Sequence, residues 1–405
     1  MRAFDVYWET SPLFSISKIF GIAPYNSIFR LSLVHTSITI LFLSLILGDA
    51  LYLGIYMEQV NDSYQLSGFS LMLERFQLIM VIVTLIVCMM KAINNVKLIR
   101  IVMETLGTVD DYLLGLNVEE KRERYSMYVT LFVRLFSLFS LIMVDLVITK
   151  MYRKLDSILI ECMLMYPLII INIVETQFIV LLNVVKKRLI AVKKKLNEIT
   201  KKGVRNINLE ILQTLATAHS TLVDICQDIN SLYSHQILMI FSGIFILTTT
   251  NLYHVVEKLI VFVAKKDVKM LNFATITSYR VMVRAYEVWT VVRSCSKANE
   301  KAKEFNTQLY QLMIDDRMND ISNDKKLRLH IAMKRDVVFT ACGFFTLDYT
   351  LVHSMIAAAT TYLVILIQFG KPNSNSSPDA SNNATLLLNT STTSLPLMIS
   401  TIGTV

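Results

Sequence analysis

Nine side chains able to donate, accept or carry charge fall inside otherwise apolar runs: Asp145, Glu161, Tyr166, Thr249, Asn251, Tyr253, Tyr279, Arg280 and Arg284. Such groups at membrane depth are costly, so they face a cavity or each other. Facing a cavity, they suit recognition of a small polar molecule, the rings supplying contact area and the polar groups fixing its orientation. Facing each other, they are structural: Arg284 and Glu287 stand three apart on one helix, and Asp145 and Glu161 are natural partners for the arginines. Arg134 and Glu175 read as an inter-helix pair. A second set follows the helical repeat. At 100° per residue, Thr350, Ser354, Ala357, Ala358, Thr361, Ile365 and Gln368 fall within about 60° of one line, opposite Val352, Ile356, Leu363 and Ile367. That stripe suits close helix packing through the Ser354/Ala358 and Ala357/Thr361 pairs. The alternative is that it lines water, several copies about an axis making a pore that narrows at Ile365 and Gln368.

Other chemistries find little support. The five cysteines are scattered singly, with no spacing for zinc or a disulfide framework. The six histidines form no metal-binding motif, and no glycine-rich phosphate loop is present, so neither an enzyme nor a cofactor or metal is expected. The net charge of +8 lies in blocks between apolar runs rather than along one face, which argues against nucleic acid as a partner.

The elements that must hold these residues are membrane helices. Over 405 residues the chain is 54% hydrophobic and 18% charged, with a mean hydropathy of +0.50, too apolar for a soluble domain of this length. A helix needs about twenty apolar residues to cross the hydrocarbon. Seven runs qualify: 33–54, 67–91, 127–149, 157–185, 234–256, 268–294 and 345–369. The sixth carries Arg280, Arg284 and Glu287 and rests partly on the loop signals flanking it. Lysine and arginine favour the cytoplasmic side. With the N-terminus inside, the cytoplasmic segments hold 26 of them and the outer segments 7. The glycosylation sequons at Asn61, Asn375, Asn383 and Asn389 all fall in the outer segments.

The expected architecture is therefore an all-α, seven-transmembrane protein with a cytoplasmic N-terminus and an extracellular C-terminus. It divides into a cytoplasmic N-terminus (1–32), helices one to six (33–294) with extended cytosolic helices near 186–233, a cytosolic helical segment (295–344), a last helix (345–369) and a disordered, glycosylated outer tail (370–405). The extended helices bury Leu189, Val192, Leu196 and Ile199 against Leu212, Leu215, Leu222, Cys226 and Ile229, beneath a basic face that suits solvent or anionic lipid. In 343–369, Gly343 reads as a helix breaker and Thr346 with Asp348 as a helix start.

The run TYLVILIQF, Thr361–Phe369, resembles the Thr-Tyr, five hydrophobic residues, Gln-Phe signature that closes the last span of insect gustatory receptors. ACGFFTLD (341–348) is similar to that family's entry into the helix, and VVRSCSKANEKAKEF (291–305) bears a looser likeness. The resemblance implies a tetramer of seven-helix subunits, a cytosolic anchor of extended helices, and a central cation pore. The last helix would line it, through Ser354, Ala358, Thr361 and Ile365, with the gate at Gln368 and Phe369. It implies a ligand-gated, non-selective cation channel for taste in the plasma membrane of sensory neurons, multi-pass, glycosylated and surrounded by membrane lipids. An extracellular small-molecule tastant would open it, as a homotetramer or with related receptor subunits. A G-protein-coupled receptor is the rival reading, but its acidic-Arg-Tyr triplet, here Glu123-Arg124-Tyr125, precedes the third span instead of following it, and no Asn-Pro-x-x-Tyr run closes the last. A co-receptor subunit, silent alone, is the other.

Overall fold

The computed structural model describes residues 3–23, 25–26, 30–45, 48, 68–118, 125–148, 158–201, 208–316, 320–333 and 336–369. The four sequons, the tail from residue 370 and Glu123-Arg124 lie outside the described residues. The elements in chain order are α1 (Ala3–Ile19), α2 (Leu33–Leu45), α3 (Gly68–Asn94), α4 (Val96–Gly115), α5 (Tyr125–Ile148), α6 (Ile158–Lys201), α7 (Leu209–Lys265), α8 (Val268–Asp315), α9 (Asp320–Asn323), α10 (Lys325–Ala332), β1 (Thr340–Ala341), β2 (Phe345–Thr346) and α11 (Tyr349–Phe369). Among the described residues the fold is all-α apart from one two-residue-strand hairpin and an isolated bridge between Tyr25 and Leu31.

Length decides what the helices can do. Among the described residues, α3, α5, α6, α7 and α11 are long and apolar enough to cross a membrane, and α2 is a shorter apolar helix. The expected sixth span falls on α8, long enough but interrupted by Arg280, Arg284 and Glu287. At 1.5 Å per residue the 57-residue α7 runs about 85 Å and the 48-residue α8 about 72 Å. A hydrocarbon core of about 30 Å cannot contain them, so both project far beyond it. The projecting parts are held by packing: Leu189, Val192 and Leu196 of α6, Leu212, Leu215, Leu222, Cys226 and Ile229 of α7, and Cys295, Ala302, Phe305 and Leu309 of α8 are buried in one cluster, with Ile199 partly buried against it.

The sequence pattern left α1 unassigned, because Pro12 interrupts it and its apolar residues follow no helical stripe. Three elements converge on one guanidinium to place it. Arg188 of α6 donates through Nε and Nη2 to the two carboxylate oxygens of Asp110 on α4, at 3.0 and 3.1 Å, and through Nη2 to Glu9 Oε2 of α1 at 3.0 Å. A forked donor matches this geometry, and all three side chains are almost fully buried.

Between α10 and α11 the chain makes a hairpin in place of the expected helix break. Thr340 pairs with Thr346 and Ala341 with Phe345, and the turn residues Cys342 and Gly343 have φ of 51° and 77°. Two successive positive φ values are the signature of the tight turn that matches strand twist. Asn230 Oδ1 of α7 accepts from the Thr340 amide at 3.0 Å, and Phe345 stacks on Phe241. The chain divides into two compact units, 1–364 and 365–405.

Candidate functional site

The last helix begins at its cap. Asp348 Oδ1 accepts from the Thr350 amide at 2.9 Å, and the Thr346 hydroxyl donates to Oδ2 at 2.9 Å. Asp348, and not Thr346, is the capping residue, because its carboxylate reaches the free amides of the first turn. Only Leu351 and Ala359 of α11 are buried. Ser354 and Thr361 are exposed and Ala358 is half-buried. The Ser354 hydroxyl donates to Thr350 O at 3.0 Å and the Thr361 hydroxyl to Ala357 O at 3.1 Å, so both donors are satisfied within the helix while their acceptor lone pairs remain on its surface. In the second unit, Ile365, Gln368 and Phe369 are exposed.

Of the nine polar residues within the apolar runs, three enter one charge network. Arg280 Nε of α8 lies 3.0 Å from Asp145 Oδ1 of α5. Arg284 Nη1 donates to Glu287 Oε2 at 2.7 Å, one turn along α8, and the charges of Glu175 and Asp145 also reach Arg284. Arg134 of α5 bonds to Glu175 of α6 and donates to Thr290 Oγ1 at 3.3 Å. Three arginines and three acids thus balance between α5, α6 and α8, which supports the internal-pairing reading for Asp145, Arg280 and Arg284. Thr249, Asn251 and Tyr253 are buried on α7, where the Thr249 hydroxyl donates to Phe245 O at 2.8 Å. Tyr166 stacks on Phe42, ring centroids 5.2 Å apart, and Tyr279 is exposed on α8. Glu161 falls on α6, its side chain outside the described residues.

Sequence reasoning did not single out the polar cavities toward the basic ends of the helices. One of about 20 Å³ is lined by Asn95, Gln177, Tyr233 and Gln236, enough for a water, and another of about 10 Å³ adjoins Glu9, Asn183 and Lys187. Long-range hydrogen bonds reveal the first, from Tyr233 OH to Gln177 Oε1 at 3.1 Å, Asn95 Nδ2 to Leu232 O at 2.7 Å and Gln236 Nε2 to Cys88 O at 3.2 Å, and no local spacing carries that signal. The Cys226 thiol is pushed up to about 12 by burial, and Cys295 beside it is raised as well, so neither is a nucleophile.

Comparison with known proteins places this arrangement. The chain is similar to gustatory receptor 28b of Drosophila melanogaster, 25% identical over 184 residues, covering 44% of this chain and 39% of that one. It is also similar to the gustatory receptor for bitter taste 66a of the same fly, 28% identical, covering 40% and 30%. The chain thus matches only about a third to two fifths of the length of these curated relatives. Among solved structures, the insect olfactory receptor OR5 from Machilis hrabei in complex with eugenol superposes with a TM-score of 0.60 over 91% of this chain and 100% of that one, at 13% identity. The fold is therefore the membrane fold of that receptor, and the chain is a multi-pass membrane protein. The family model described as 7tm chemosensory receptor matches residues 10–373, and the chain belongs to that family, a family of receptors and not of enzymes.

Proposed function

We propose that the chain is a gustatory receptor that acts as a ligand-gated, non-selective cation channel, four copies surrounding a pore lined by α11. The observation that carries the reading is the state of that helix: it is apolar, yet of its 21 residues only two are buried by the chain itself, and Ser354 and Thr361 lie on its open surface. A single chain covers little of it beyond Leu351, Val352 and Met355 against the core and Tyr362 against Phe245. Copies arranged around an axis would turn the hydroxyl edge toward water and the bulky edge outward. Ile365 then forms an apolar constriction with Gln368 as its polar neighbour and Phe369 at the rim.

The N-terminus is cytoplasmic and the C-terminus extracellular, with Asn61, Asn375, Asn383 and Asn389 as glycosylation sites, in the plasma membrane of sensory neurons. The agonist is a small extracellular molecule, a reading supported by the eugenol complex of the olfactory receptor that shares the fold. Tyr166, Thr249, Asn251, Tyr253 and Tyr279 are the candidates to meet it, with the Asp145, Arg280 and Arg284 network and Glu161 beside them. A better fit to the dilated state would shift the population toward open pores.

Expression of the chain alone, with a ligand panel read by calcium influx, identifies the agonist. Agonist current must then persist in excised patches without nucleotide. Current that needs nucleotide and a soluble partner would return the protein to the G-protein-coupled class. Ile365→Ala and Gln368→Ala are expected to raise basal leak or alter relative cation permeability, and wild-type currents in both would remove these residues from the gate.

A further inference from the structure

We infer that the seam between α6 and α8, just beyond their apolar runs, binds a phosphorylated inositol headgroup of an inner-leaflet lipid through Lys186, Arg293 and Lys297. The inference rests on the orientation proposed above, which puts this end of the helices in the cytoplasm.

Two helices deliver cations to one level. The apolar run of α6 ends at Val185 and is followed by Lys186-Lys187-Arg188, while α8, packed along α6, presents Arg293, Lys297 and Lys301 at four-residue spacing, about 6 Å per step along one face. One turn earlier on that face stands Trp289, with the Arg293 guanidinium 4.7 Å from its ring centre, and Tyr286 lies 6.1 Å from Trp289. Aromatic rings followed by basic residues mark a membrane–water boundary on the cytoplasmic side.

The fold neutralises most cations here with its own acids. Arg188 is held by Glu9 and Asp110, Lys187 reaches Glu9, and Lys193 and Lys301 share Glu304. Among the described residues, Lys186, Arg293 and Lys297 form no ion pair. Lys186 is half-buried and donates to Asn183 Oδ1 at 2.7 Å, and the charges of Lys297, Lys187, Arg293 and Lys301 bear on its ammonium. Like charges held together at a partly desolvated seam are unfavourable without a counter-anion. A diffuse attraction to anionic lipid would need only exposed cations on one face. Convergence from two helices, with Lys186 and Lys297 half-buried, suits a compact polyanion whose several phosphate oxygens reach all three at once.

The test uses the full chain reconstituted in phosphatidylcholine nanodiscs at physiological salt. A short-chain fluorescent phosphatidylinositol bisphosphate is the lipid probe, and soluble inositol trisphosphate is the competitor. Discs expose both faces and carry no current, so the measurement is blind to orientation and conduction and separates failure here from failure of the channel reading. Arg293→Gln/Lys297→Gln is expected to weaken lipid binding by about 30-fold, the loss of two membrane-surface cations. Lys297→Gln alone, at a side chain with no ion pair among the described residues, should retain the wild-type melting temperature and still bind more weakly. Arg293→Lys should bind nearly as wild type, and Lys325→Gln/Lys326→Gln on α10 should not differ from it. Competition by the soluble phosphate as strong as the lipid's own binding would support the same anion site with a soluble source, and weak competition supports the lipid. Equal binding by wild type and double variant, or equal losses in the α10 control or with phosphatidylserine as probe, would overturn the site.

Discussion

Arg134 and Glu175 show how single residues constrain a membrane bundle. They are 2% and 0% exposed, one on α5 and one on α6, and each is the other's charged partner. Removing one leaves an uncompensated buried charge, whereas removing both leaves an apolar contact. Arg134→Met is therefore expected to lower stability by about 3–5 kcal/mol, and Arg134→Met/Glu175→Met to recover most of it. Thermal denaturation in detergent of the wild type, Arg134→Met, Glu175→Met and the double variant gives the coupling, and additive losses would show that the pair is not energetically linked. His219 constrains the other end. Its Nε2 lies 3.0 Å from Ala302 O and must donate, which leaves Nδ1 to accept from His330 Nε2 at 3.2 Å. Burial first, then the His330 charge, lowers its pKa from 6.5 to about 3. In the unfolded chain His219 takes a proton below about pH 6.5 that the folded chain refuses. The associated stability is thus intact above that pH and falls as pH drops, approaching about 1.4 kcal/mol per pH unit. His219→Gln should flatten the melting profile between pH 6.5 and 5 by that slope, and an unchanged profile would mean the histidine is not held neutral.

At the scale of elements, the hairpin between α10 and α11 joins Asn230 of α7, through the Thr340 amide, to the start of the last helix. Its turn needs positive φ at both Cys342 and Gly343, and a side chain at Gly343 would meet open space, so substitution there acts through backbone strain alone. Gly343→Ala is expected to cost about 1–2 kcal/mol in local stability and to shift agonist sensitivity while leaving relative cation permeability unchanged. Hydrogen–deuterium exchange at 338–348 together with dose–response curves checks both halves, and wild-type exchange would show that the turn tolerates the residue. This hairpin also marks what sequence could not supply. Gly343 announced a break, but a cysteine in the left-handed region announces nothing, since asparagine or aspartate is the usual partner of glycine in such a turn. The apolar membrane helices were legible because each is long enough to be recognised from composition alone, and the burial of Leu189, Leu215 and Ile229 followed from helical spacing. The pairing of Arg134 with Glu175 was legible as two costly charges in need of each other. The three-way junction of Arg188, Asp110 and Glu9 was not, because it joins residues 78 and 179 positions apart and no periodicity encodes which helices meet.

For the whole molecule, the number of crossings turns on α8. It fails a simple test of apolarity because Arg280, Arg284 and Glu287 interrupt it, yet Arg280 is paired with Asp145 of α5 and Arg284 with Glu287 of its own helix. Pairing removes much of the penalty that an unpartnered arginine carries at the centre of a membrane helix, about 2.5–3.5 kcal/mol in insertion measurements. If α8 crosses, the count is odd and the termini lie on opposite sides. An N-terminal epitope should then be reached by antibody only after permeabilisation, and the tail should carry glycans removed by peptide N-glycosidase and lost when Asn375, Asn383 and Asn389 are all changed to Gln. Asp145→Leu leaves Arg280 without its carboxylate, so the share of molecules with a glycosylated tail should fall, and Asp145→Leu/Arg280→Leu should restore it. A tail without glycans in the wild-type chain, with the N-terminal epitope still enclosed, would place both termini in the cytoplasm, deny α8 its crossing, and with it the outward-facing end of α11 on which the proposed gate depends.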